Sequence, residues 1–311
     1  MYLRRDHLKR TARAPAKLNL YLEILGRRGD GFHELETLMV PIRLADRLAL
    51  TPTPPIHDRA GQIVLDIRNC LPVRPPPASE DVPAGPANLV VKALELLREL
   101  SGCRWGAHVE LDKRIPSGAG LGGASSDAAA ALRLANRAWQ LEWSNDRLAL
   151  LAAEIGSDVP FFLSGGPAIC RGRGERVEPV RGLAPLDFVI VKPPVGLNTA
   201  EVYQSHDALP DDDAVVGLGE AYQVAGMLGS DRWHTPGIWM RNRLQAAAAA
   251  LSPWVERLRG IFDSLDCLGH QLTGSGSAYF GVCRHARHAR RLATLLKTRQ
   301  LGLVYATQSY L

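Results

Sequence analysis

PSGAGLGGASSDAAAA, residues 116–131, decides how the rest of the chain is read. Four glycines fall between positions 118 and 123. Without a Cβ, glycine lets backbone N–H groups close around an anion. The alanine-rich stretch 124–141 reads as a helix, and its partly positive N-terminus would face the same anion. Ser125 and Ser126 add hydroxyl groups at that end. Residues 105–112 upstream read as a strand. Strand, glycine loop and helix in this order make a cradle for phosphates. Two familiar phosphate loops do not fit. The P-loop needs a lysine directly after its glycines, and none stands here. Residues 118–123 match G-x-G-x-x-G literally, but a second helix, opened by Ser144-Asn145-Asp146 and ending at Gly156, follows where a dinucleotide fold requires a strand. The alternative is a helix-packing turn without a ligand.

On the N-terminal side, APAKLNLYLEIL (14–25) alternates, with Leu18, Leu20, Leu22 and Ile24 on one face and Lys17, Asn19, Tyr21 and Glu23 on the other. The spacing predicts a half-buried strand. GRRGDGFH (26–33) reads as a turn, and 46–51 and 61–68 as strands. Residues 69–87 contain six prolines and read as an irregular loop. Asn88 then caps a helix, NLVVKALELLREL. On the C-terminal side, 167–171 and 175–180 read as strands around a Gly-Arg-Gly turn. The pattern restarts after Gly182 with an apolar strand at 186–193. A polar, irregular segment over 204–235 precedes a helix at 239–265. The strand–glycine loop–strand QLTGSGSAYFGVC (271–283), a helix at 284–299 and a strand at 303–308 complete the chain. The expected class is α+β in two domains, 1–183 and 184–311.

Composition narrows the function classes. The 37 Lys+Arg exceed the 32 Asp+Glu by only +5. The basic runs Arg4, Arg5, Lys9, Arg10, Arg13 and Arg284, Arg287, Arg290, Arg291 lack interleaved aromatics, so no nucleic-acid partner is expected; residues 1–12 read as a loose basic extension. A mild positive excess suits a phosphorylated small substrate. Only six of the cations are lysines, which draws attention to each, because arginine does not replace a compact ammonium. Five cysteines without a C-x-x-C pair point to a reducing cytoplasm. No leader and no membrane span are expected.

Three segments in order, APAKLNL (14–20), IPSGAGLGGASSDAA (115–129) and LTGSGSAYFG (272–281), resemble the GHMP kinase superfamily, and the resemblance runs from about residue 13 to residue 308. Within it, GDGFHELETL (29–38) and EIGSDVPFFLSGG (154–166) resemble the 4-diphosphocytidyl-2-C-methyl-D-erythritol kinases rather than homoserine, mevalonate or galactokinases. The resemblance implies a ribosomal S5 domain 2-like N-terminal domain and a ferredoxin-like C-terminal domain. It also implies ATP-dependent phosphorylation of the 2-hydroxyl of the cytidine-diphosphate-linked methylerythritol, in the non-mevalonate route to isoprenoid precursors. ATP and Mg2+ are the implied cofactors, and the protein is expected to be a monomer or homodimer. Ala119 and Ala124 stand where many relatives carry glycine, and Phe32 where tyrosine is common.

By the same resemblance, Asp158 is the catalytic carboxylate and Lys17 its cationic partner, since a nearby opposite charge favours an ionised carboxylate. The alternatives are a helix cap ahead of Pro160 for Asp158 and an exposed strand lysine for Lys17. Pro116, Ser117, Gly118, Ala119, Gly120, Leu121, Gly122, Gly123, Ala124, Ser125 and Ser126 would bind the ATP phosphates, with Ser126 as candidate metal ligand. Asn88 and Leu89 would touch adenine. Substrate contacts are expected from Asn19, Thr199, Thr273 and Gly274. His33 would read the cytosine edge, with Phe32 and Tyr203 stacking on its faces. Three rivals are weighed: a sister GHMP kinase, against which GDGFHELET argues; a nicotinamide-dependent oxidoreductase, against which the missing βαβ unit argues; and a silent nucleotide sensor, against which retention of Lys17 and Asp158 argues.

Overall fold

A computed structural model of the chain describes residues 9–57, 59–72, 82–209, 218–230 and 240–310. Residues 73–81 of the proline-rich loop, the Pro210 stretch of the polar segment and the first basic residues, Arg4 and Arg5 among them, lie outside the described residues.

The strand around Lys17 is longer than its alternation predicts. β1 (Arg10–Arg27) forms an antiparallel hairpin with β2 (His33–Thr53) across the turn at Gly29–Phe32. β3 (Ile63–Asn69) pairs in parallel with β4 (Gly106–Lys113), and β4 pairs with the far half of β2. The near half of β2 pairs with β5 (Ala168–Gly172), which carries β6 (Arg176–Pro179). A short β8 (Arg241–Asn242) joins β1 in parallel and completes a seven-stranded sheet. β7 (Asp187–Lys192), β9 (Gly269–Leu272), β10 (Tyr279–Cys283) and β11 (Leu303–Gln308) form a four-stranded antiparallel sheet in the order β11-β7-β10-β9.

Four helices cover one face of the larger sheet: α1 (Leu89–Ser101), α2 (Gly123–Ala138), α3 (Asn145–Ile155) and α4 (Val159–Ser164). Their apolar residues close a core with Ala14, Met39 and Leu48 of the hairpin. The caps follow the sequence: Asn88 Oδ1 accepts from Val90 N and Ser144 Oγ from Arg147 N. The other face of the hairpin, through Leu18, Leu20, Val40 and Ile42, packs on Phe188, Ile190, Phe280 and Val282 of the smaller sheet. α7 (Gln245–Leu251), α8 (Pro253–Asp263) and α9 (Ala286–Thr298) cover that sheet's far side. α5 (Thr199–Ala208) and α6 (Glu220–Leu228) lie between β7 and β8 in the chain.

Burial on both sides corrects the half-buried reading of residues 14–25. Lys17, Asn19, Tyr21 and Glu23 are at most 4% exposed. A bulge between Asn19 and Tyr21 also breaks the alternation, so Tyr21 joins Leu18 and Leu20 in one core; such bulges re-aim side chains beside functional sites. The helix read over 239–265 is interrupted. Pro253 lacks the N–H that would continue the helix through Ser252, so two helices form there, preceded by β8. The segment read as irregular over 204–235 starts inside a helix, α5, capped by Asn198, and also holds α6.

Candidate active site

Lys17 leaves β1 on its polar side and ends between two oxygen-bearing side chains. Its Nζ lies 2.6 Å from Asn19 Oδ1 and 3.6 Å from Asp158 Oδ2. Asn19 is held in turn: Nδ2 donates to Thr37 Oγ1 at 2.9 Å, and the Thr37 hydroxyl donates to Tyr21 O at 2.6 Å. A buried ammonium whose neighbours are all fixed has one position. Asp158 occupies the N-cap position of α4, yet its side chain makes no capping hydrogen bond. Its carboxylate therefore faces Lys17 instead of serving the helix, and it stays about one-third exposed while the lysine side chain is 5% exposed.

The glycine loop is built against this pair. Lys17 N donates to Leu121 O at 2.9 Å. A Cβ on Gly122 would stand 3.0 Å from Lys17 Cγ and 2.9 Å from Phe162 Cζ, and its φ of +69° already belongs to glycine. Gly120, at φ +71°, passes so close to the second loop that a Cβ would lie 2.1 Å from Thr273 O. That second loop clasps the first: Ser277 N donates to Gly118 O and Ala278 N to Ala119 O.

Behind the loop sits a cluster that the sequence reading missed. Lys113, Asp46 and Asp127 are all buried, with Lys113 Nζ bonded to Asp46 and, at 2.8 Å, to Asp127 Oδ2. Asp46 Oδ1 also accepts from Arg114 N and Ile115 N, fixing the chain as it enters the loop. Burial pushes the Asp127 carboxyl up to about 8, against the pull of Lys113. Asp127 Oδ1 has no partner among the described residues. Only the inference that two carboxylates share one buried ammonium would have revealed this cluster, and its members lie on three distant segments.

These groups line one cavity of about 890 Å3, within the range of small-molecule sites. Residues 116–125, Asn88, Leu89, Lys17, Asn19, Asp158, Phe32, His33, Thr199, Tyr203 and Gly274 all lie on its wall, together with Asp127 and Asp207. Asn88 is already committed on both ends of its amide, to Val90 N and Pro83 O. Thr199 Oγ1 bonds Ser275 Oγ at 2.9 Å.

Two expected contacts are corrected. Ser126, one step round the helix from Ser125, turns to the opposite side of α2 and lines a separate cavity with Arg13, Arg43 and Arg133, so it does not reach the phosphate cradle as a metal ligand. Thr273 is fully buried behind the wall; its hydroxyl accepts from Asn19 N at 3.1 Å and holds the Lys17–Asn19 arrangement rather than a substrate. The aromatic pair is also arranged differently. Tyr203 stacks on His33, centroids 4.9 Å apart, while Phe32 is 48% exposed with the Arg173 guanidinium 5.1 Å over its ring.

A magnesium ion fits the oxygen chemistry of this wall. Mg2+ binds through few protein oxygens plus substrate phosphates; Asp127, one of whose carboxylate oxygens has no partner among the described residues, and Ser125 both line the cavity. Among the described residues no three His, Cys, Asp or Glu side chains cluster as a closed metal cage, and no helix is long and apolar enough to cross a membrane.

Comparison with known proteins gives the family. Residues 88–166 match the model for the GHMP kinases N terminal domain, and 228–299 that for GHMP kinases C terminal. A 4-diphosphocytidyl-2-C-methyl-D-erythritol kinase of Pelotomaculum thermopropionicum is 40% identical over 291 residues, 91% of this chain and 92% of the relative. The enzyme of that name from Geobacillus thermodenitrificans is 36% identical, over 92% of each chain. A crystal structure of 4-(cytidine 5'-diphospho)-2C-methyl-D-erythritol kinase superposes with a TM-score of 0.77 at 35% identity, covering 96% of this chain and 99% of that one. Homoserine kinase from Cytophaga hutchinsonii, at 18% identity and a TM-score of 0.69 over 100% of this chain and 97% of that one, shares the fold.

Proposed function

The chain belongs to the 4-diphosphocytidyl-2-C-methyl-D-erythritol kinases, a family of the GHMP kinases, and on that premise we propose how its site performs the transfer. It is a small-molecule kinase with ATP as phosphate donor. The reaction places the γ-phosphoryl group on the 2-hydroxyl of the cytidine-diphosphate-linked methylerythritol, giving the 2-phosphate and ADP, on the non-mevalonate route to isoprenoid precursors.

Phosphoryl transfer passes through a loose transition state, so positioning and charge stabilisation do most of the catalysis. The backbone N–H groups of residues 118–125 and the start of α2 hold the ATP phosphates. Asp158 accepts or orients the proton of the attacking hydroxyl, for which it must come within hydrogen-bond reach of it. Lys17, 3.6 Å from that carboxylate, offers its charge to the oxygens that gain negative charge. A bound Mg2+, held by Asp127 and Ser125 with phosphate oxygens, would neutralise the triphosphate. His33, Phe32 and Tyr203 take the cytosine. The observation that carries this reading is the Lys17–Asp158 pair, 3.6 Å apart, standing against the glycine loop through the Lys17 N to Leu121 O bond.

Two further readings accompany this one. A division into domains at 183/184 is supported by the split of the strands between two sheets, although β8 crosses back to the first. A reducing, cytoplasmic location fits the five free cysteines.

An ADP-release assay with the cytidylated methylerythritol beside homoserine, mevalonate and galactose tests the function. Turnover confined to the first compound is expected. Equal or better turnover of another alcohol would overturn the substrate assignment.

A further inference from the structure

Asp207 stands on α5, outside every motif that pointed to the site. Its Oδ1 lies 2.6 Å from His33 Nε2, and its Oδ2 lies 3.6 Å from Arg27 Nη1. The His33 ring is 10% exposed and stacked on Tyr203 at an interplanar angle of 25°. Packing on one face and a short hydrogen bond at one nitrogen leave the imidazole a single orientation. All three residues line the cavity.

The bond also decides where the imidazole proton sits. An ionised carboxylate only accepts, so Nε2 must carry hydrogen. In the neutral ring the other nitrogen, Nδ1, then keeps its lone pair. Among the described residues nothing hydrogen-bonds Nδ1. An acceptor on a cavity wall seeks a donor. Cytosine presents an exocyclic amine, a donor, at the position where uracil presents a carbonyl, an acceptor.

Resting on the cytidylated-substrate reading above, we infer that Asp207 is a positioning residue that fixes His33 in its Nε2–H tautomer, so that Nδ1 accepts the cytosine amine and opposes the uracil carbonyl. Cytosine selectivity thus depends on a carboxylate that does not touch the base. A site built to pair a polar group rejects the analogue that leaves the group unpaired. Against one base-edge hydrogen bond, the preference for cytidine over uridine is about 10- to 100-fold.

The test compares the cytidine substrate with its uridine counterpart in the unsubstituted enzyme and in Asp207→Asn. An amide side chain either accepts or donates, so it releases the tautomer. The expected result is a collapse of the cytidine preference, carried by a rise in KM for the cytidine substrate, with kcat and the KM for ATP nearly unchanged. Nitrogen-15 NMR of the histidine rings, assigned with His33→Ala, should show His33 protonated at Nε2 alone in the unsubstituted protein, a signature that a merely structural aspartate would not set. An undiminished preference in Asp207→Asn overturns the inference, and so does a His33 ring protonated at Nδ1 alone or at both nitrogens. The NMR measurement decides even if the variant does not fold. Absence of turnover of the cytidine substrate by the unsubstituted enzyme would instead remove the functional reading on which the inference stands.

Discussion

The Lys17 ammonium stands 3.6 Å from the Asp158 carboxylate, with the lysine side chain almost wholly enclosed and the aspartate about one-third open to the cavity. The enclosed cation cannot move to follow a substrate. The more open carboxylate is the group that meets one. That asymmetry supports the proposed division of labour, with the proton taken by Asp158 and the fixed charge supplied by Lys17.

Asp158→Asn keeps the shape and removes the base. Turnover should fall by about 10²- to 10⁴-fold, the usual contribution of a positioned general base. ATP affinity, measured by calorimetry, should stay close to that of the unsubstituted enzyme. Unchanged turnover would remove the base from Asp158.

Lys17→Arg keeps the charge and changes the shape. Lys17 Cγ lies 3.0 Å from the position a Gly122 Cβ would take, and Nζ is already spanned by Asn19 and Asp158. A planar guanidinium has no room to reproduce that contact. The rate should remain well below normal, and a normal rate would mean that charge alone suffices.

Gly120→Ala tests the contact between the two glycine loops. Alanine in the left-handed region costs about 1–3 kcal/mol, and here its Cβ would also meet Thr273 O at 2.1 Å. Both thermal stability and nucleotide affinity should drop. A variant that melts normally and binds ATP normally would show that the clasp is dispensable.

Asp46→Ala removes one of two partners from a buried ammonium and strips the acceptor from Arg114 N and Ile115 N. Breaking a buried ion pair from one side costs about 3–5 kcal/mol. Chemical denaturation should show a loss of that order, although Asp46 lies on no wall of the substrate cavity.

His33→Ala should raise the KM for the cytidylated substrate far more than the KM for ATP. Equal weakening of both would refute a base-reading role.

The parts of the site that announced themselves in sequence are those whose chemistry is local. A run of glycines before an alanine-rich helix carries its own backbone argument, and Lys17 and Asn19 share a strand face within two residues. Asp158 could be read as a cap or a base, and the absence of a capping bond in the fold argues against the first and supports the second. Asp46, Lys113 and Asp127 escaped notice because each is an unremarkable charge until three segments bring them together. Asp207 was hidden by a polar stretch whose weak amphipathicity conceals α5. Ser126 was misjudged for a geometric reason: successive helical residues diverge by about 100°, so adjacent serines need not serve the same cavity. The half-buried reading of β1 failed because its polar residues are covered by segments distant in the chain, the glycine loop and Asp158 at Lys17, Thr273 at Asn19 and Arg241 and Arg243 at Glu23, which no short-range pattern reports.

The clasp between residues 118–120 and 273–278 has a bearing on how the molecule is made. Proteins fold from the N-terminus as they leave the ribosome, yet Gly118 O and Ala119 O find their donors only in Ser277 and Ala278. A nascent chain with all of α1 to α4 already packed still holds an unfinished anion cradle. A ligand that binds the folded enzyme and not the unfolded chain stabilises it, so bound ATP would favour the chain whose last strands have closed this clasp.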